Sequence, residues 1–269
     1  MLIRILLVLL AVSALGQTPS LAGDRYALDT GRDIALGSAA VVGGFAVWQG
    51  ASRVRPLTEA ELAALDVDAL PAFDRLATRY WSPAAARASD VLGYGLALAP
   101  LALLLDTGEE MSAAELLTMY LETMALDRVL VGGLKLGVGR VRPLAYNPDP
   151  RITAEERSSR YSRRSFPSGH TSGAFAGAMF TGQVYARMHP DDDARHWVRG
   201  GALTLATLTG ILRVRAGHHF PSDALLGAII GTVVGWAVPE LHETDPDPVA
   251  PEGAEPVPMG PSLAWSWAF

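Results

Sequence analysis

Three short segments hold residues whose types and spacing could do chemistry, and each lies at the end of an apolar run. The first is Lys135-Leu136-Gly137-Val138-Gly139-Arg140-Val141-Arg142-Pro143. Cations at a helix C-terminus complement the helix dipole, an ordinary structural role, and the same charges could hold an anion. The second, Phe166-Pro167-Ser168-Gly169-His170-Thr171, opens an apolar stretch. Pro and Ser are ordinary helix-start residues. Gly beside Ser at such a start also leaves free N–H groups at the positive end of the dipole, where anions bind. The third runs Arg213-Val214-Arg215-Ala216-Gly217-His218-His219-Phe220-Pro221-Ser222-Asp223. His219 and Asp223, four apart, are within reach across a helix start. An Asp bonded to one imidazole nitrogen fixes the tautomer and leaves the other nitrogen free to attack.

The elements that must position these segments are helical. Ile34–Ser52 carries no charge over 19 residues, and Val91–Leu105 is a 15-residue uncharged run between Asp90 and Asp106. Ala113–Lys135 is apolar but interrupted by Glu115, Glu122, Asp127 and Arg128. His170–Met188, Gly200–Leu212 and Ala224–Pro239 complete a set of six. Thr58–Trp81 reads as an amphipathic connector broken at Pro71, with Leu62, Leu65, Leu70, Phe73 and Leu76 near helical spacing. The body, residues 23–240, is therefore expected to be all-α. Runs this length, rich in Gly and Ala, suit either a membrane bundle or a buried core, and the membrane reading is the one adopted.

Composition narrows the classes. Of the 269 residues, 49% are hydrophobic and 19% charged, below the roughly 25% of an ordinary soluble domain, which excludes whole-chain disorder. A net charge of −6 argues against nucleic acid as a partner. With no cysteine there is no disulfide framework, thiolate metal site or cysteine nucleophile. Among 22 basic residues only Lys135 is lysine. Met1–Ala22 reads as an export signal or retained anchor, with Arg4, an apolar run from Ile5 to Leu15 and a small-x-small site at Ser20–Ala22. Residues 241–269 read as a solvated, acidic, Pro-rich tail ending in the alternating Leu263-Ala264-Trp265-Ser266-Trp267-Ala268-Phe269.

In order, Lys-x6-Arg-Pro, Pro-Ser-Gly-His and Arg-x5-His-x3-Asp resemble the type 2 phosphatidic acid phosphatase (PAP2) superfamily, which also holds vanadium haloperoxidases. Leu212 stands where that family usually has Ser before the Arg. The resemblance implies a six-helix bundle and a metal-independent phosphatase working through a phosphohistidine. It implies His219 as nucleophile, Asp223 as its orienting partner and His170 as general acid. Lys135, Arg142 and Arg213, with Ser168 and the Gly169 N–H, are implied to bind the phosphoryl oxygens. His218 is the rival nucleophile, but only His219 has the matching spacing to Asp223. No cofactor is implied, save vanadate if the chain were a haloperoxidase. Apolar helices beside a phosphate site point to a phosphorylated lipid as substrate and to the bacterial inner membrane. A soluble periplasmic acid phosphatase and a non-catalytic phosphate- or lipid-binding protein are the alternatives. Two imidazoles needed in opposite protonation states predict a bell-shaped pH dependence.

Overall fold

The computed structural model describes residues 25–107 and 111–244; the expected export signal and nearly all of the expected C-terminal tail lie outside them. Six long helices form the body: α1 (Thr30–Ser52), α2 (Pro83–Leu98), α3 (Ala113–Val138), α4 (Gly169–Met188), α5 (Ala194–Arg215) and α6 (Pro221–His242). α2 continues as a 3₁₀ stretch over Ala99–Asp106. Among the described residues there is no strand, only an isolated antiparallel bridge between Tyr26 and Glu243. The all-α expectation holds.

Local chemistry sets the helix ends. α3 starts in a capping box, with Ser112 accepting from Glu115 N–H and the Glu115 carboxylate accepting from Ser112 N–H. It stops at Gly139, whose φ of 60° lets its N–H close on the Lys135 carbonyl. α4 is capped by Ser168, α2 by Ser82 with Pro83 at its first turn. The connector is not one helix. It forms separate turns at Glu59–Ala63, Ala72–Arg75 and Leu76–Arg79, because Thr58 and Glu61 cap the first and Pro71 forces a new start.

α4 is the central element, packed against α2, α3, α5 and α6, whereas α1 rests on α3 at the edge. Small residues permit this closeness. A Cβ on Gly227, Gly231 or Gly235 of α6 would run into the backbone of Ser168, Ser172 or Ala176, and one on Gly177 into that of Leu96. Leu103, Met119, Phe180, Val184, Val234 and Val238 fill the core at the end away from the three motif segments.

The outer faces are apolar. Val42 and Trp48 on α1, Val91 on α2, Trp197 on α5 and Leu225 and Trp236 on α6 are all exposed. Glu115, Glu122 and Asp127 of α3 are buried instead. Soluble monomers rarely expose apolar surface on this scale. Thr30–Ser52, Pro83–Asp106 and Pro221–His242 are long and apolar enough to cross a membrane. α6 runs through Glu240 to His242, two residues into the segment expected as tail, and His242 is buried in the body.

Candidate active site

Helix topology brings the three motif segments to one end of the bundle: the last turns of α3 and α5 and the first turns of α4 and α6. His219 sits in the loop before α6, 1% exposed, with Nδ1 3.6 Å from Asp223 Oδ2. That is longer than a hydrogen bond, a separation common in unliganded catalytic pairs. Burial first, then the charges of Lys135, Arg142 and Arg213, holds the His219 imidazole neutral, well below the usual histidine range. His218, beside it, is pushed down to about 3 by burial and by Arg213 and Arg142.

Asp223 is held from several sides. Oδ2 accepts from Ser165 Oγ at 2.5 Å and from Phe220 N–H at 2.8 Å, and Oδ1 accepts from Arg140 at 2.8 Å. Arg140 also donates to Ser222 Oγ (2.6 Å) and Asp74 Oδ2 (2.7 Å), and its guanidinium lies 4.0 Å above the Phe220 ring. Asp74, fully buried on the connector, accepts in turn from Ser222 N–H and Oγ.

His170 lies in the first turn of α4, with Nε2 3.1 Å from Asp90 Oδ1 and its ring edge-on to Tyr94. The same Asp90 oxygen accepts from Arg213 at 2.8 Å, and Arg213 also reaches Ser89 Oγ at 3.3 Å. Arg142 caps a short turn at Pro143–Tyr146, its N–H donating to the Ser162 carbonyl. Burial and the neighbouring Arg213 lower its guanidinium to about 10, so it stays charged. Arg142 and His218 line a polar recess of about 290 Å³ with Trp81, Glu156 and Tyr161.

Two residues are engaged differently from the simplest phosphate-clamp picture. Lys135 Nζ donates to the carbonyls of Arg164 (2.9 Å), Pro167 (2.5 Å) and, at 3.5 Å, Ser165. Its charge thus ties down the strap that leads, through the cis Phe166–Pro167 peptide, into α4. Ser168 Oγ accepts from Thr171 Oγ (2.8 Å) and Thr171 N–H (3.4 Å) as the α4 cap. Gly169, next in line, offers one of the first-turn N–H groups.

Sequence reasoning missed four of these participants. Arg140 and Ser165 lie within or beside the motif segments, Asp90 marked the edge of an apolar run, and Asp74 sits among apolar connector residues. The visible signal was an acid at the edge of an apolar run for Asp90, and an acid among apolar connector residues for Asp74.

Comparison with known proteins finds a matching family model, similar sequences and one similar structure. Residues 116–246 match the family model described as "PAP2 superfamily". The chain is 34% identical over 135 residues to "Probable lipid phosphate phosphatase beta" of Arabidopsis thaliana, covering 44% of this chain and 61% of that protein. It is 33% identical over 115 residues to "Lipid A 1-phosphatase" of Porphyromonas gingivalis, covering 41% of this chain and 21% of the relative. The chain thus spans less than two thirds of the length of these relatives. A solved structure, the first transmembrane PAP2 type phosphatidylglycerolphosphate phosphatase from Bacillus subtilis, aligns at 22% identity and a TM-score of 0.39, covering 89% of this chain and 94% of that one. All three motif segments, from Lys135 to Asp223, fall inside the stretch that matches the PAP2 superfamily model.

Proposed function

We propose that this chain is a membrane-embedded phosphoric ester hydrolase acting on a phosphorylated lipid, without a metal at the reacting phosphorus. The observation that carries the reading is a buried, neutral His219 backed by Asp223 and ringed by Lys135, Arg142 and Arg213. With Nδ1 turned to Asp223, the Nε2 lone pair of His219 attacks phosphorus. The N–P bond forms as the P–O bond to the leaving alkoxide breaks, and protonated His170 passes its proton to that oxygen. Neutral His170 then takes a proton from water, whose oxygen displaces the His219 nitrogen and frees phosphate. Phosphoryl transfer needs positioning and charge neutralisation more than new covalent groups, and fixed cations at a helix N-terminus supply both.

The lipid part rests on the surroundings. An apolar cleft of about 500 Å³ between the connector and α4, α5 and α6 is walled by Phe73, Leu76, Phe175, Ile211 and Leu225, and its rim includes Thr171 and Pro221 beside the site. Such a cleft suits an acyl or prenyl tail. The relatives named for lipid phosphate and lipid A dephosphorylation support the same substrate class. The inner membrane of a bacterial envelope is the proposed setting.

Phosphate release from phosphatidate, phosphatidylglycerophosphate, isoprenyl diphosphate and a water-soluble ester, in detergent with EDTA, tests the proposal. Lipid-selective release, abolished by His219→Ala, is the expected result. Release unchanged in His219→Ala would overturn the mechanism, and preference for the soluble ester would overturn the lipid assignment. Bromination driven by vanadate and peroxide would instead mark a haloperoxidase.

A further inference from the structure

At the far end of the bundle Asp33 (first turn of α1), Glu122 (α3) and His242 (last turn of α6) meet in the interior, exposed by 5%, 3% and 1%. From Asp223 to His242 is about 28 Å along α6, so this is a separate place from the catalytic cluster. His242 Nε2 lies 3.3 Å from Asp33 Oδ1 and 3.3 Å from Glu122 Oε2, and one ligand atom from each residue falls within 4.8 Å of the others.

The hydrogen bonding makes this more than a collection of acids. His242 Nδ1 lies 2.8 Å from the Val238 carbonyl, which can only accept, so Nδ1 carries the ring hydrogen. In the neutral ring that leaves Nε2 as a lone pair aimed at two carboxylate oxygens, three acceptors facing one another. Nε2 and Glu122 Oε2 are both buried and have no hydrogen-bond partner. Arg32 pairs with Asp33 at 2.9 Å and donates to the carbonyls of Ala27 (2.7 Å) and Leu241, so it neutralises one carboxylate. Ionised, the buried group of four therefore carries one uncompensated negative charge, costly away from water.

We propose that Asp33, Glu122 and His242 form a divalent metal site, best suited to zinc, that staples α1, α3 and α6 at the end opposite the catalytic residues. Zinc takes imidazole nitrogen and carboxylate oxygen at about 2.0–2.2 Å, which in a tetrahedron puts neighbouring ligands about 3.3–3.5 Å apart. The 3.3 Å separations at His242 match that spacing. An imidazole fixed through its other nitrogen by a backbone carbonyl and a carboxylate held by an arginine are the usual outer supports of such ligands. Magnesium and calcium prefer all-oxygen surroundings and fit less well. A single shared proton would also remove the excess charge, and the experiment separates the two.

The full-length protein, purified in detergent without chelator, is equilibrated with zinc chloride, desalted and assayed for metal by mass spectrometry. Thermal unfolding is followed with zinc and with EDTA. The proposal expects one zinc per chain in wild type and in His219→Ala, a melting temperature raised by zinc, and loss of both effects in Glu122→Gln and Asp33→Asn. Should those variants not fold, the wild-type stoichiometry and zinc-dependent melting decide alone. No bound zinc in wild type overturns the proposal in favour of a shared proton. Zinc kept by Glu122→Gln but lost from His219→Ala overturns it by placing the metal at the catalytic histidines. None of these readouts is turnover, so failure here leaves the hydrolase reading standing, and loss of lipid phosphatase activity would leave this one standing.

Discussion

Replacing Lys135 by Arg keeps the charge and should still cripple the proposed phosphatase activity. One ammonium converges on the carbonyls of Arg164 and Pro167 at hydrogen-bonding distance, with Ser165 at the outer limit, from a side chain packed beneath the strap. An ammonium can do this because its three N–H vectors spread tetrahedrally; the guanidinium is planar, longer, and its donors diverge in one plane. At least one of the two short bonds must be lost. A hydrogen bond to a charged group contributes about 1.5–3 kcal/mol. If that energy holds the Pro167–His170 segment in its reactive placement, kcat/KM should fall roughly 13- to 160-fold, each 1.36 kcal/mol being tenfold. The assay is steady-state phosphate release from phosphatidate in detergent micelles, with near-ultraviolet circular dichroism to confirm the fold. Lys135→Met, which loses charge and bonds together, should be worse than Lys135→Arg. Wild-type kcat/KM in a folded Lys135→Arg would refute the argument, since it would show that neither the convergence nor the placement matters.

Further outcomes follow from other contacts. Arg140→Lys cannot span Asp74 and Asp223, so kcat should drop about tenfold or more with KM nearly unchanged, because the Arg140 guanidinium is committed to Asp223 and Asp74 and would act through Asp223; an unchanged kcat would contradict this. Asp90→Asn removes the anion beside His170, so the protonated imidazole becomes less stable and the alkaline limb of kcat should move to lower pH; a limb that stays put rules out the pairing. His218 is neutral in the fold down to about pH 3 but protonates near 6.5 when unfolded, so the unfolded state gains protons first and stability falls as pH drops through that window. The slope is about 1.4 kcal/mol per pH unit for this one residue, and His218→Gln should flatten the melting temperature between pH 6 and 4. Gly177→Val would drive a side chain into the Leu96 backbone where α4 meets α2, lowering stability by about 1–3 kcal/mol or more in chemical unfolding.

Some of this was legible in the sequence, for reasons that differ residue by residue. Lys135, Arg142, Ser168, Gly169, His170, Arg213, His219 and Asp223 stand at helix ends, where charge and free N–H groups have physical meaning before any coordinates exist. The six helices showed as uncharged runs, but their limits did not. α2 begins at Pro83, eight residues before the uncharged run at Val91, because Arg87 points outward, exposed, while Ala85 and Ser89 pack inward. α5 likewise extends from Ala194 to Arg215, beyond both ends of its apolar stretch. Partners that lie far apart in sequence were invisible. Nothing local pairs Asp90 with Arg213, or Asp74 with Ser222, and the lone acids of α3 looked like interruptions when in fact the helix turns them inward.

Asp74 also has a geometric consequence. Its carboxylate is bonded to the first turn of α6 and to Arg140, while its neighbours Phe73 and Leu76 point outward, 62% and 53% exposed. In the membrane arrangement proposed above, those two side chains are an anchor at the lipid boundary, rigidly coupled to the residues that hold Asp223. The connector then works as a depth gauge: it fixes the height of the reacting phosphorus against the headgroup layer, so a lipid need not leave its leaflet to be dephosphorylated.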